Sequence, residues 1–67
     1  MIRINLIVLR QKNKLTQGAF ANTIGIKREA YQAYEEGRCN PPLKVIKKIV
    51  DLYNVNDTYK FLFEYYE

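Results

Sequence analysis

Residues 15–31 read Leu15-Thr16-Gln17-Gly18-Ala19-Phe20-Ala21-Asn22-Thr23-Ile24-Gly25-Ile26-Lys27-Arg28-Glu29-Ala30-Tyr31, a pattern of two short helices folded across a tight turn. Thr16 suits an N-cap, because its hydroxyl can satisfy an orphan N–H of the first turn. Ala21 is small where the two helices must cross closely. Gly25 stands where the first of them has to end, and glycine takes positive φ there without strain. Ile26 then opens a new apolar face, which Ala30, Tyr31 and Tyr34 continue at helical spacing. Two helices joined in this way present the second edge-on to the major groove of DNA.

The flanking residues extend the helical pattern. A helix from about Arg3 to Asn13 carries Ile2, Leu6 and Leu9 on one stripe. Ile4, Ile7 and Val8 are β-branched and lower its propensity, so packing has to hold it, and a strand over residues 2–9 is the competing reading. The paired helices cover about Gln17 to Ile24 and Lys27 to Glu36, with Gly37 as the stop of the latter. Pro41-Pro42 forces an extended entry and then favours a helix start. A fourth helix from about Pro42 to Tyr53 buries Leu43, Ile46, Ile49, Val50 and Tyr53, leaving Lys44, Lys47 and Lys48 on other faces. Asn54-Val55-Asn56-Asp57 is a turn with capping capacity, and a fifth helix from about Thr58 to Tyr66 closes an all-α fold. No linker, repeat or low-complexity segment interrupts residues 1–67, which read as a single domain.

Inventory narrows the chemistry. With 67 residues there is room for one core and none for a separate ligand-sensing module. The chain has no His, Ser or Trp and one Cys, so Ser-His and Cys-His nucleophilic pairs and zinc-finger sites are all impossible. Carboxylates remain, but a helical domain of this size offers little volume for a substrate cleft. No enzyme, metal or cofactor is expected. The longest apolar run, Leu6-Ile7-Val8-Leu9, is far too short to span a bilayer, and no signal peptide is recognisable, so a cytoplasmic protein is expected.

The formal net charge of +4 favours a polyanionic partner. Its distribution says more. Between Leu15 and Arg38, Lys27, Arg28 and Arg38 are balanced by Glu29, Glu35 and Glu36. The excess lies in the flanks, in Arg3, Arg10, Lys12, Lys14, Lys44, Lys47, Lys48 and Lys60. Attraction to phosphates must therefore come largely from residues bordering the reading helix.

Taken together, Leu9-Arg10, Leu15-Thr16-Gln17, Phe20-Ala21, Ile24-Gly25-Ile26, Tyr34-Glu35-Glu36-Gly37-Arg38 and Asn40-Pro41 resemble the Cro/phage-repressor type of helix-turn-helix, the xenobiotic-response-element family. The resemblance covers about residues 5–63. It implies a five-helix, lambda-repressor-like DNA-binding domain, commonly dimeric, that regulates transcription. Several positions depart from the family pattern. Gly18-Ala19 replaces a polar pair, Tyr31 and Tyr34 stand where smaller aliphatics are usual, and Pro42 occupies a common Ser/Thr cap position. Glu29 and Ala33 make the reading surface less basic and less polar than is typical.

The candidate site follows from this placement. Lys27, Arg28, Glu29 and Gln32 lie at the start and on the outer face of the reading helix. Arg28 can pair with guanine, Gln32 with adenine, and Glu29 can accept from cytosine N4. By resemblance, Gln17 contacts a phosphate while its side chain braces the reading helix. Arg38, Asn40, Lys44 and Lys47 are candidates for phosphate anchoring, with solubilising surface charge as the plainer reading. By resemblance, too, Arg10 of the first helix pairs with Glu35, fixing the angle between helices. Cys39 invites a redox role, although a lone cysteine is usually incidental.

Residues 59–66 read Tyr-Lys-Phe-Leu-Phe-Glu-Tyr-Tyr. Tyr59, Leu62, Phe63 and Tyr66 are expected to pack inward, leaving Phe61 and Tyr65 as the interface of a homodimer. The functional expectation is a dimeric, repressor-type, sequence-specific regulator that reads double-stranded operator DNA with residues 27–36. The alternative is a protein-interaction module on the same scaffold, such as an antitoxin-like partner-binding domain.

Overall fold

The computed structural model describes residues 2–63 and consists of five helices: α1 (Ile2–Lys12), α2 (Gln17–Thr23), α3 (Arg28–Glu36), α4 (Leu43–Tyr53) and α5 (Thr58–Phe63). No strand occurs among the described residues, so the β-branched run 2–9 is helical. Burial decides this. Leu6 is fully buried and Leu9 nearly so, each contributing about 1.5–3 kcal/mol, against a few tenths per residue lost in propensity at Ile4, Ile7 and Val8.

Four of the helices end in the same way. Lys14, Gly25, Gly37 and Asn54 all take positive φ, between 55° and 77°. After α1, Lys14 N–H donates to the Gln11 carbonyl and Leu15 N–H to that of Arg10. After α2, Gly25 donates to Asn22 and Ile26 to Ala21, and after α3 Gly37 donates to Tyr34 and Arg38 to Ala33. Each pair satisfies two of the last carbonyls of its helix and reverses the chain. The turn after α2 therefore has the same hydrogen bonding as its neighbours.

The core is built on Phe20, whose ring stacks on Tyr53 at 5.0 Å and tilts against Tyr31 at 4.9 Å. Leu6, Leu9, Ala21, Ile24, Tyr34, Val45, Ile49, Val55 and Phe61 complete it. Tyr31 and Tyr34, larger than the family pattern, are therefore both core residues. The first helix of the motif starts as its sequence predicts, with Thr16 Oγ1 accepting from Ala19 N–H at 3.1 Å.

Three burial expectations fail. Leu43 is 77% exposed, and Val45 takes the inner place on α4. Ala33 is buried, so it does not belong to the outer surface of α3. On α5 the two faces are exchanged. Phe61 is fully buried, whereas Tyr59 and Phe63 are 65% and 63% exposed and pack on each other at 5.1 Å. Two polar groups fix that rotation. Asp57 Oδ1 accepts from Lys60 N–H at 3.0 Å and caps the start of α5. Buried Asn5 on α1 donates through Nδ2 to the Phe61 carbonyl at 2.6 Å. With its backbone tied to α1 at residue 61, α5 turns Phe61 into the core and leaves Tyr59 and Phe63 outside. Tyr65, the other expected interface residue, and Tyr66 lie outside the described residues.

Candidate nucleic-acid interface

The angle at which α3 is held is set by one carboxylate. Glu35, almost fully buried, receives Arg10 Nε on Oε2 at 2.6 Å, Arg10 Nη2 on Oε1 at 3.3 Å and Gln17 Nε2 on Oε1 at 3.0 Å. Arg10 spends Nη1 on the Leu15 carbonyl at 2.9 Å, in the turn that leads into α2. Three helices are thus joined at one point. Burial works against ionisation of Glu35, but hydrogen bonds from Arg10, Tyr31 and Gln17 outweigh it and hold its carboxyl below the usual range. The hydrogen bond to Glu35 in turn raises Arg10, although burial opposes it. Burial first, and then Glu35, push the Tyr31 phenol far up, so it stays protonated, with its single hydrogen shared between Glu35 and the Leu6 carbonyl at 3.3 Å.

That inner edge leaves the outer edge of α3 to solvent. Lys27 occupies the N-cap position of α3, and its side chain makes no cap hydrogen bond. Lys27, Arg28 and Glu29 are exposed, and Gln32 is half-buried. The stem of Arg28 crosses α2: a Cβ added at Gly18 would lie 3.5 Å from Arg28 Cδ. The unusual glycine at 18 therefore sits directly under a candidate reading residue. Further along, Gln32 Nε2 donates to Glu36 Oε2 at 2.9 Å, and Arg38 Nε donates to Glu36 Oε1 at 2.7 Å.

The residues singled out from sequence fall into three groups in space. Lys27, Arg28, Glu29 and Gln32 share the exposed edge of α3, and Arg38 joins its far end through Glu36. Asn40, Lys44 and Lys47 are exposed on the following loop and α4. Gln17 is different, because its side chain is committed to Glu35. Cys39 is exposed and free.

Sequence reasoning passed over three residues with roles here. Asn5 is a buried amide hidden in an apolar stripe. Glu36 looked like one more surface charge, although its spacing of four from Gln32 was a signal. Arg3, from α1, lies against the end of α3, with Cδ 3.1 Å from where a Cβ at Gly37 would sit. It supplies the cation that the last turn of α3 lacks.

Two absences apply to the described residues. None of their helices is long and apolar enough to cross a membrane. No group of three or more His, Cys, Asp or Glu is placed to hold a metal ion.

A family model described as helix-turn-helix matches residues 6–60. An uncharacterised HTH-type transcriptional regulator of Bacillus subtilis is 39% identical over 59 residues, covering 88% of this chain and 51% of the relative. The CTXphi cryptic phage transcriptional repressor RstR of Vibrio cholerae is 38% identical over 47 residues, 70% of this chain and 42% of the repressor. An uncharacterised HTH-type transcriptional regulator of Archaeoglobus fulgidus is 32% identical over 63 residues, 94% of this chain and 89% of the relative. The chain thus spans about half of the first relative and nearly all of the last. No solved structure matches it.

Proposed function

Because the chain belongs to the helix-turn-helix family, we propose that it is a DNA-binding transcriptional regulator of the repressor type, reading the major groove with residues 27–36. The observation that carries this reading is the two-sidedness of α3. Its inner edge is sealed by Tyr31, Tyr34 and Glu35, and its outer edge presents Arg28, Glu29 and Gln32.

Arg28 offers a fork to guanine, Gln32 an amide to adenine and Glu29 an acceptor to cytosine N4, with Lys27 beside them at the helix start. The start of α2 at Gln17, together with Arg38, Asn40, Lys44 and Lys47, meets phosphates and sets the register. The activity is binding and not catalysis, and its place is the cytoplasm.

The protein acts as a homodimer. The exposed Tyr59–Phe63 pair takes the role expected of Phe61, because Phe61 is committed to the core. A two-fold axis beside α5 sets two reading helices about 34 Å apart on one face of the duplex.

The test is affinity for a selected duplex against random DNA as salt is varied. Arg28→Ala or Gln32→Ala is expected to cost about 1–3 kcal/mol at one base pair. Lys44→Ala is expected to weaken all sequences alike and to flatten the salt slope by about one. Loss of the same size on random and selected DNA for both classes of variant would defeat the base-reading assignment. Binding to duplex that does not fall with rising salt would favour the protein-interaction reading, which the balance of charge between Leu15 and Arg38 supports.

A further inference from the structure

We propose that Glu36 is a positioning residue for sequence readout: its carboxylate fixes which end of the Gln32 amide faces the DNA and holds Arg38 in line behind it. This rests on the reading of Gln32 as a base contact. The side chains of Gln32, Glu36 and Arg38 form a continuous exposed ridge along the end of α3, joined by bonds of 2.9 and 2.7 Å.

The argument is one of donors and acceptors. An ionised carboxylate only accepts, whereas an amide has a donating NH2 end and an accepting carbonyl end. The end of Gln32 that meets Glu36 must therefore be nitrogen. One N–H is used there. The second N–H and the carbonyl remain for a base, and they match the N7 acceptor and N6 donor that adenine shows in the major groove. Turned over, the same amide would set its carbonyl against the carboxylate, which is repulsive. Glu36 thus gives the reader a polarity before DNA arrives.

Arg38 makes this arrangement tolerable beside phosphates. It neutralises the carboxylate through Nε at 2.7 Å and retains the two terminal nitrogens of its guanidinium for a phosphate oxygen. Hydrogen bonds from Gln32 and then from Arg38 also keep Glu36 ionised to lower pH than an ordinary carboxylate. The ridge runs from phosphate anchor through carboxylate to base reader.

Glu36→Gln tests this, because a glutamine at 36 can face Gln32 with either end and no longer dictates its orientation. Selection of bound duplexes from a randomised pool is compared for the unaltered protein, Gln32→Ala and Glu36→Gln. Gln32→Ala is expected to abolish preference at one base pair. Glu36→Gln is expected to relax preference at that same pair by about twofold, with preferences elsewhere unchanged and thermal stability retained.

A second readout uses the free protein. The Gln32 side-chain NH2 resonances should shift as Glu36 is protonated, and Glu36→Gln should remove that shift. Release of Arg38 changes affinity for every sequence alike, so the deciding readout is the preference at the Gln32 pair: if Glu36→Gln left that preference unchanged, its role would be a plain surface charge and the inference would fall. If Gln32→Ala left the preference intact, the base-reading assignment would fail first and this inference with it.

Discussion

Arg10 and Glu35 meet through two bonds across 25 residues of sequence, and the carboxylate is the more buried partner, with 5% of its side chain exposed against 16% for Arg10. The two single removals are therefore unequal. Arg10→Met strands an anion inside the protein, whereas Glu35→Leu leaves a guanidinium able to turn toward water. Arg10→Met is expected to cost roughly 2–3 kcal/mol, somewhat below the range for fully buried pairs because Arg10 is partly solvated. The Arg10→Met/Glu35→Leu double variant should cost less than the sum of its parts. Urea unfolding of the four proteins checks this, and additivity would show that the side chains are uncoupled.

The same carboxylate sets a pH dependence. Its folded value lies below the ordinary 4.5, so the unfolded chain takes up its proton first as pH falls. Stability from Glu35 is present in full above the ordinary carboxylate range and drains away as pH falls through the depressed folded value. Glu35→Gln should flatten that acid limb. An acid unfolding curve of unchanged slope would place the titration elsewhere.

Two glycines predict opposite outcomes. Gly18 lies in the first turn of α2, and a Cβ there meets only Arg28 Cδ at an ordinary 3.5 Å. Gly18→Ala should stabilise by about 0.5–1 kcal/mol through helix propensity. Gly25 has φ of 74°, so Gly25→Ala should destabilise by about 1–2 kcal/mol. Melting temperatures moving in the same direction for both would contradict the backbone argument.

Asn5 is the only polar side chain of α1 that is fully buried among the described residues, and it bonds the Phe61 carbonyl. Asn5→Ala should cost about 0.5–1.5 kcal/mol, because the buried hydrogen bond that ties α1 to α5 is lost. The loss should be concentrated in α5. Hydrogen exchange would then speed up at residues 58–63 ahead of α2 and α3. Uniform acceleration would mean that Asn5 supports the whole core instead of its last helix.

Phe63→Glu should shift a micromolar solution toward the 8.0 kDa monomer, while Phe61→Glu should prevent folding, because it puts a charge into the core. Sedimentation separates the two. A parent protein that already sediments as a monomer would remove the dimer from the proposed function.

What the sequence determined by itself was everything local. Five helices were legible, with the caps and stops at Thr16, Gly25, Gly37, Asn54 and Asp57, because these act on backbone groups within a few residues of themselves; the left-handed Lys14 that ends α1 was not. The outward edge of α3 was legible too, since Tyr31 and Tyr34 at helical spacing leave Arg28 and Gln32 on the other side. Tertiary structure decided what depends on distant partners. The face of α5 could not be read from its own residues, because aromatics occupy both sides and the choice is made by Asn5, 56 positions away. Leu43, expected inside, is left exposed and Val45 is buried on α4, a choice made by the surfaces that α4 meets. The role of Glu36 waited on where the chain carries Arg38 after Gly37. Periodicity tells a helix which residues belong together, but only the surfaces it packs against tell it which of two apolar faces to bury.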